Sequence, residues 1–194
     1  MALLTAPAGG RGIGGRFSRA PVAALFALLL LVSNQCDLFG QAARVPDYQV
    51  KAVFLFNFAQ FVSWPSREAP DAPFVIGILG DDPFGSYLDE TVRGEKVNNR
   101  SLSIERFRHG SEPRNCHILF ISQSERDRAG QIVSNLRGRS ILTVSDIEGF
   151  AGLGGMVELF TEKTKIRMRI NLDAVKAGNL KISSKLLRVA ELTH

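Results

Sequence analysis

The chain has 194 residues, 45% of them hydrophobic and 22% charged, with a formal net charge of +5. Those proportions suit one globular domain with an appendage, and they exclude a disordered chain, a collagen-like repeat and a disulfide-dense miniature. The longest apolar runs fall short of the roughly 18 residues of a spanning helix, so a protein that crosses a membrane many times is excluded as well.

The basic charge is unevenly placed. Arg11, Arg16 and Arg19 precede the uncharged stretch from Pro21 to Val32, after which Ser33, Asn34 and Gln35 turn polar. A basic segment followed by an apolar one is the pattern of an export signal. Gly40 and Ala42 supply the small residues a signal peptidase needs, so cleavage is expected between Ala42 and Ala43, or one residue later. That divides the chain into a signal at 1–42 and an α/β domain at 43–194. As an uncleaved anchor the apolar stretch is short, because a bilayer needs about 20 residues. Cys36 follows Ser33-Asn34-Gln35 instead of the leucine and small residues that lipidation takes, and is expected to leave with the signal. Cleavage removes three arginines and Asp37, which leaves +3. A nucleic-acid binder concentrates more charge than that on one face, so no nucleic-acid partner is expected.

Within the domain, Val50, Val53, Phe54, Phe58 and Phe61 recur at helical spacing, with Asp47 as the N-cap and Pro65 as the stop. Leu55, Phe56 and Val62 lie off that stripe, so this helix is apolar around more than half its circumference and should be sandwiched or used at an interface, with burial inside the domain the expected outcome. The unbroken apolar run Phe74–Gly80 suits a strand covered on both faces. Asp82 and Pro83 then open a helix over Phe84–Val92, and Leu102–Phe107 reads as the next strand.

Cys116–Ser122 predicts another strand, Glu125–Leu136 a helix, Ser140–Val144 a strand and Asp146–Phe150 a helix or turn. Cys116 is the one cysteine left after cleavage, so no disulfide can form within the domain. It reads as a small buried hydrophobe, and its neighbour His117 points to the opposite face of a strand. Met156–Phe160 and Lys165–Ile170 alternate charged with apolar residues, as a hairpin at the sheet edge would, turning through Thr161–Thr164. Asn171–Ala177 predicts a short helix, and Ser183–Leu192 a final one with Leu186, Leu187 and Ala190 facing inward. The βαβα order gives the fold class: a single α/β domain whose central sheet has five or six largely parallel strands between helices, a Rossmann-like three-layer sandwich with an edge hairpin.

Open sheets of this class bind ligands beyond the carboxyl ends of their strands. Asp81, Asp82 and Phe84 follow the first such strand and Asp146 follows the fourth, so these four are the candidate ligand or partner contacts. Two adjacent carboxylates could hold Mg²⁺ as in a phospho-accepting receiver domain. That chemistry also needs an aspartate on the central strand, where this chain has Ser122 and Gln123. The glycine-rich Gly149–Gly155 precedes a strand and lacks the order of a phosphate-binding loop. His109, His117 and His194 are too scattered for a metal-ligand set, and no serine stands in a nucleophile elbow. No catalytic residue, metal or cofactor is assigned.

Four segments carry a resemblance. They are Lys51–Phe58 with Phe61 and Trp64-Pro65; Gly80–Gly85; Cys116–Ser122 with Leu142–Asp146; and Gly154–Val157 with Ile170–Leu172 and Leu180–Leu187. In this order and spacing the domain from about Val50 to Leu192 resembles the YfiR-like family of exported regulators. The resemblance implies a periplasmic α/β binding protein that is not an enzyme. It implies repression of an inner-membrane diguanylate cyclase through that protein's periplasmic sensor region, with less cyclic di-GMP as the result. It also implies sequestration by an outer-membrane lipoprotein, and a homodimer. The alternative function is a periplasmic small-ligand sensor whose ligand state controls a membrane signalling partner, with Asp81, Asp82 and Asp146 near the pocket.

Overall fold

The computed structural model describes residues 44–65, 72–108, 110, 111, 113 and 115–194. The export signal, its cleavage position, Cys36 and His109 lie outside the described residues.

Helix α1, Arg44–Phe61, packs against one face of the sheet. Of the stripe expected from Val50, Val53, Phe54, Phe58 and Phe61, the fold fully buries Phe58 but turns Val50 and Val53 outward. Val50 and Val53 are 45% and 47% exposed, whereas Ala52, Leu55, Phe58 and Ala59 are fully buried. A helix apolar on most of its surface offers two competing stripes, and the position of Lys51 among its neighbours decides which one turns inward, as described below. Strand β1, Val62–Ser63, follows directly and pairs antiparallel with β9, Lys181–Ile182. The expected helix therefore ends before Val62.

Apart from this two-stranded pair, the central sheet consists of β2 (Phe74–Leu79), β3 (Lys96–Val97), β4 (Arg100–Phe107), β5 (Ile118–Ile121), β6 (Leu142–Ser145), β7 (Val157–Glu162), β8 (Lys165–Asn171) and β10 (Glu191–Thr193). Their spatial order is β3-β4-β2-β5-β6-β7-β8-β10. From β4 to β7 every neighbouring pair is parallel, whereas β3 and β8 join antiparallel and β10 joins β8 in parallel. The sheet is thus mixed and eight-stranded, not a simple parallel one of five or six. The extra strands come from short segments whose pattern is too brief to read. β3 turns into β4 through Asn98 and Asn99, both at positive φ, which asparagine tolerates.

The hairpin of β7 and β8 forms with Lys163 and Thr164 at its tip. It does not lie at the edge, because β10 covers β8. The last predicted helix is only one turn long, α5 at Ser184–Leu187, capped by Ser183. The chain then straightens so that Glu191 pairs with Arg169 on β8.

Helices α1 and α2 (Ser86–Val92) cover one face, with Ile76, Ile78, Phe120, Val144, Val157 and Ile170 beneath them. Helix α3 (Ala129–Leu136), entered through a 3-10 turn at Gln123–Arg128, covers the other face over Leu79, Leu119, Ile121 and Phe150. Every residue of β2, β5 and β6 is buried, as expected of strands sandwiched between helices. Full burial of each large side chain contributes about 1.5–3 kcal/mol. Helix α4, Leu172–Ala177, is capped by the Asn171 side chain.

Candidate functional site

In the parallel core the chain steps from β2 to β4 on one side and to β5 on the other. That order puts the topological switch point between the carboxyl ends of β2 and β5. Here the crevice is closed by the chain itself. Gly80 ends β2 at φ +89, and a Cβ on it would overlap the Ser124 hydroxyl. The N–H of Asp81 donates to that hydroxyl at 2.9 Å, and the N–H of Ser122 donates to the Leu79 carbonyl at 3.0 Å. Only glycine permits both the left-handed turn and so close an approach.

The four candidate residues separate into different environments. Asp81 is exposed. Asp82 accepts from the Phe84 N–H at 2.7 Å, an Asx turn that shapes the entry to α2, and accepts from Arg106 Nε at 2.7 Å. Arg106 also reaches Asp89 of α2 at 2.5 Å. Donation from Arg106 holds the Asp89 carboxyl below its ordinary value, and the two carboxylates raise the Arg106 pKa in turn. Phe84 is buried in the core, edge-on to Phe120 at 4.8 Å and to Tyr48 at 5.6 Å.

Asp146 lies at the end of β6 with its side chain 5% exposed. One oxygen accepts from Lys51 Nζ at 2.7 Å and from the Tyr48 hydroxyl at 2.9 Å. The other accepts from Gln123 Nε2 at 3.1 Å, and Gln123 in turn accepts from Arg126 at 2.7 Å. Lys51 Nζ also stands 4.3 Å from the centre of the Tyr48 ring. This network explains the phase of α1: a stripe that buried Val50 and Val53 would swing Lys51 away from Asp146. Tyr48, Lys51 and Gln123 were missed from sequence, although Lys51 is the only charge between Asp47 and Arg67. That isolation was the available signal.

A second closed site occupies the glycine-rich segment. Buried Glu158 of β7 accepts from the N–H groups of Gly149 and Ala151, at 3.2 and 3.0 Å, and from Arg169 at 3.1 Å. The loop's amides therefore surround a carboxylate of the same chain, with Phe150 buried beneath. A Cβ on Gly155 would overlap the Phe150 ring, which accounts for glycine there.

Histidine 117 is buried on β5's approach. Its Nδ1 accepts from the Val75 N–H at 3.0 Å, and its ring stacks on Phe74 at 4.3 Å. Burial pushes the Cys116 thiol up to about 12, so it stays protonated and is a poor nucleophile. Among the described residues no three His, Cys, Asp or Glu side chains group as metal ligands, and no buried side-chain nitrogen or oxygen lacks a hydrogen-bond partner. No described helix is long and apolar enough to cross a membrane.

A family model described as YfiR/HmsC-like matches residues 48–191, from Tyr48 at the Asp146 network to Glu191 at the pairing with Arg169. The match covers well over half of the chain, and the chain belongs to that family.

Proposed function

We propose that this YfiR/HmsC-like protein is an exported, non-enzymatic regulator that acts in the periplasm. It binds the periplasmic sensor region of an inner-membrane diguanylate cyclase and lowers cyclic di-GMP. Residues 1–42 serve as the cleaved export signal, an outer-membrane lipoprotein relieves repression by sequestration, and the protein self-associates. The observation that carries this reading is the family match across residues 48–191. The strand ends are consistent with it: the groups that would face a substrate in a doubly wound enzyme are bonded to one another. Asp81, the exposed member of the four candidates, belongs on this reading to the partner surface beside the Arg106 cluster.

The test is capture from solubilised membranes with protein purified from the periplasm, read by mass spectrometry, beside cyclic di-GMP measured in cells. An inner-membrane protein with a cytoplasmic cyclase domain should be recovered, and exported protein should lower cyclic di-GMP. A chain lacking residues 1–42 should remain in the cytoplasm and leave it unchanged. Equal repression by that cytoplasmic form would sink the periplasmic mechanism. A specific small molecule retained through purification, with no membrane partner, would favour the ligand-sensor function instead.

A further inference from the structure

The charge of the domain is not spread evenly along it. From Arg44 to Asp173 the sequence holds 17 basic and 17 acidic residues, and from Ala174 to Ala190 it holds four basic residues and no acidic one. The whole excess of positive charge therefore sits in one short segment: Lys176 on α4, Lys181 on β9, Lys185 on α5 and Arg188 at the end of α5. All four are exposed. None of them forms an ion pair with a described residue, whereas Arg106, Arg128, Arg167 and Arg169 each meet a carboxylate.

Val175, Leu180 and Leu186 are buried and fasten this segment to the core, which leaves the cations between them in solvent. Lys185 and Arg188 stand three residues apart on one helical turn and so share a side of it. Val189 comes next at 61% exposure, the most exposed large hydrophobic side chain among the described residues. The place of the segment is set by β9, which pairs with β1. Trp64, next to β1, packs edge-on against Phe74 at 5.0 Å and donates to the His117 carbonyl at 3.1 Å, at the amino ends of β2 and β5. Asp81 follows the carboxyl end of β2, so β9 and Asp81 lie toward opposite edges of the sheet.

We propose that this segment is a docking surface for an anionic phospholipid bilayer, with Lys176, Lys181, Lys185 and Arg188 at the headgroups and Val189 entering the boundary with the acyl chains. Charge complementarity selects the occupant. A protruding apolar side chain beside a cluster of cations is the combination an interfacial anchor uses, and each cation held near an anionic membrane contributes roughly a fivefold gain in affinity. Three of the four are lysines, point charges on flexible stems. They suit a fluid array of headgroups, whereas arginine forks match carboxylates fixed on a protein. The proposal rests on the proposed function for which membrane is met, and it adds a lipid contact to the protein contact. Docking at β9 leaves Asp81, at the other edge of the sheet, free for the sensor region of a membrane protein.

The test is co-sedimentation of the full-length chain, purified after export, with vesicles of phosphatidylcholine alone or mixed with phosphatidylglycerol. Binding is expected to the mixed vesicles only, and it should weaken as salt is raised. The triple variant Lys181→Gln, Lys185→Gln, Arg188→Gln should bind about a hundredfold more weakly. Lys163→Gln, Lys165→Gln, Arg167→Gln removes the same charge from the β7–β8 hairpin and should change binding by less than about threefold. Val189→Ser should weaken it by about fivefold. Should the first triple variant lose the near-ultraviolet circular dichroism of the folded chain, Lys185→Gln alone decides, with a loss of about fivefold. Equal binding to both kinds of vesicle, or an equal loss from the two triple variants, overturns the assignment. Capture of a cyclase from detergent, where no bilayer remains, together with no vesicle binding overturns the lipid surface and leaves the proposed function standing. If the first triple variant also loses that capture, the cations meet an acidic protein surface instead.

Discussion

Two ion-pair clusters sit at the carboxyl edge of the sheet, and their geometry is nearly the same. Lys51 meets Asp146 at 2.7 Å and Arg106 meets Asp82 at 2.7 Å. Their surroundings differ. The Lys51 and Asp146 side chains are 8% and 5% exposed, whereas Arg106 is 42% exposed and its partners Asp82 and Asp89 are 18% and 41%. In the first cluster water cannot replace a lost partner, so each charge depends on the other. In the second it can, and solvent screens what remains. Identical contacts therefore do different work: the buried knot fixes how α1 is phased on the sheet, and the exposed triad leaves charge at the surface beside Asp81, where a partner can reach it.

That contrast can be broken most forcefully at Asp146. Asp146→Ala strands a buried ammonium and removes the acceptor of Tyr48 and Gln123, and should destabilise by about 3–5 kcal/mol in urea denaturation. Replacing both charges at once, Lys51→Met with Asp146→Leu, should recover most of that loss, because desolvation nearly offsets the attraction of a buried pair. A double variant as unstable as the single one would show that the pair is not coupled.

Glu158 is the intermediate case, a buried carboxylate facing the partly exposed Arg169. Glu158→Ala leaves the N–H groups of Gly149 and Ala151 without an acceptor and should destabilise by about 2–3 kcal/mol by the same measurement. Arg106→Ala should shift stability by less than about 1 kcal/mol, and the shift should shrink as salt is raised. A loss at Arg106 as large as at Asp146 would remove the basis of the comparison.

The covered part of the fold was readable because burial on both faces writes a continuous apolar run, as in Phe74–Leu79 and Ile118–Ile121. The β7–β8 hairpin was readable from the opposite pattern, the alternation of charged with apolar residues in Met156–Phe160 and Lys165–Ile170. β1, β3, β9 and β10 were not, since two or three residues carry no period and owe their conformation to a strand distant in sequence. The β10 segment read as helix because Ser183 and Ser184 do start one, and what draws Glu191–Thr193 into the sheet is pairing with β8, a strand distant in sequence, with Arg169 holding the Glu191 carboxylate. At the site, the strand-end position of Asp81, Asp82 and Asp146 was legible. Their partners Arg106, Lys51, Tyr48 and Gln123 were not, because sequence separation hides which donors a carboxylate meets.

The smallest expected effect lies within the exposed triad and concerns Asp89. Donation from Arg106 is the largest influence on its carboxyl and lowers its pKa. A carboxylate that is more acidic in the folded chain than in the unfolded one stabilises the fold at pH values above the unfolded aspartate pKa, about 3.9. The contribution disappears as pH falls through the lower folded value, where both states bind the proton. Carbon-detected NMR titration of wild type should therefore place the Asp89 midpoint below the ordinary aspartate range, and Arg106→Ala should return it toward that range. Because solvent reaches both groups, this change should move the titration far more visibly than it moves overall stability. Were the Asp89 midpoint the same in both proteins, the bond from Arg106 would not be formed in solution. The exposed cluster would then be a set of independent surface charges, and the Asp146 knot alone would tie helix to sheet at this edge.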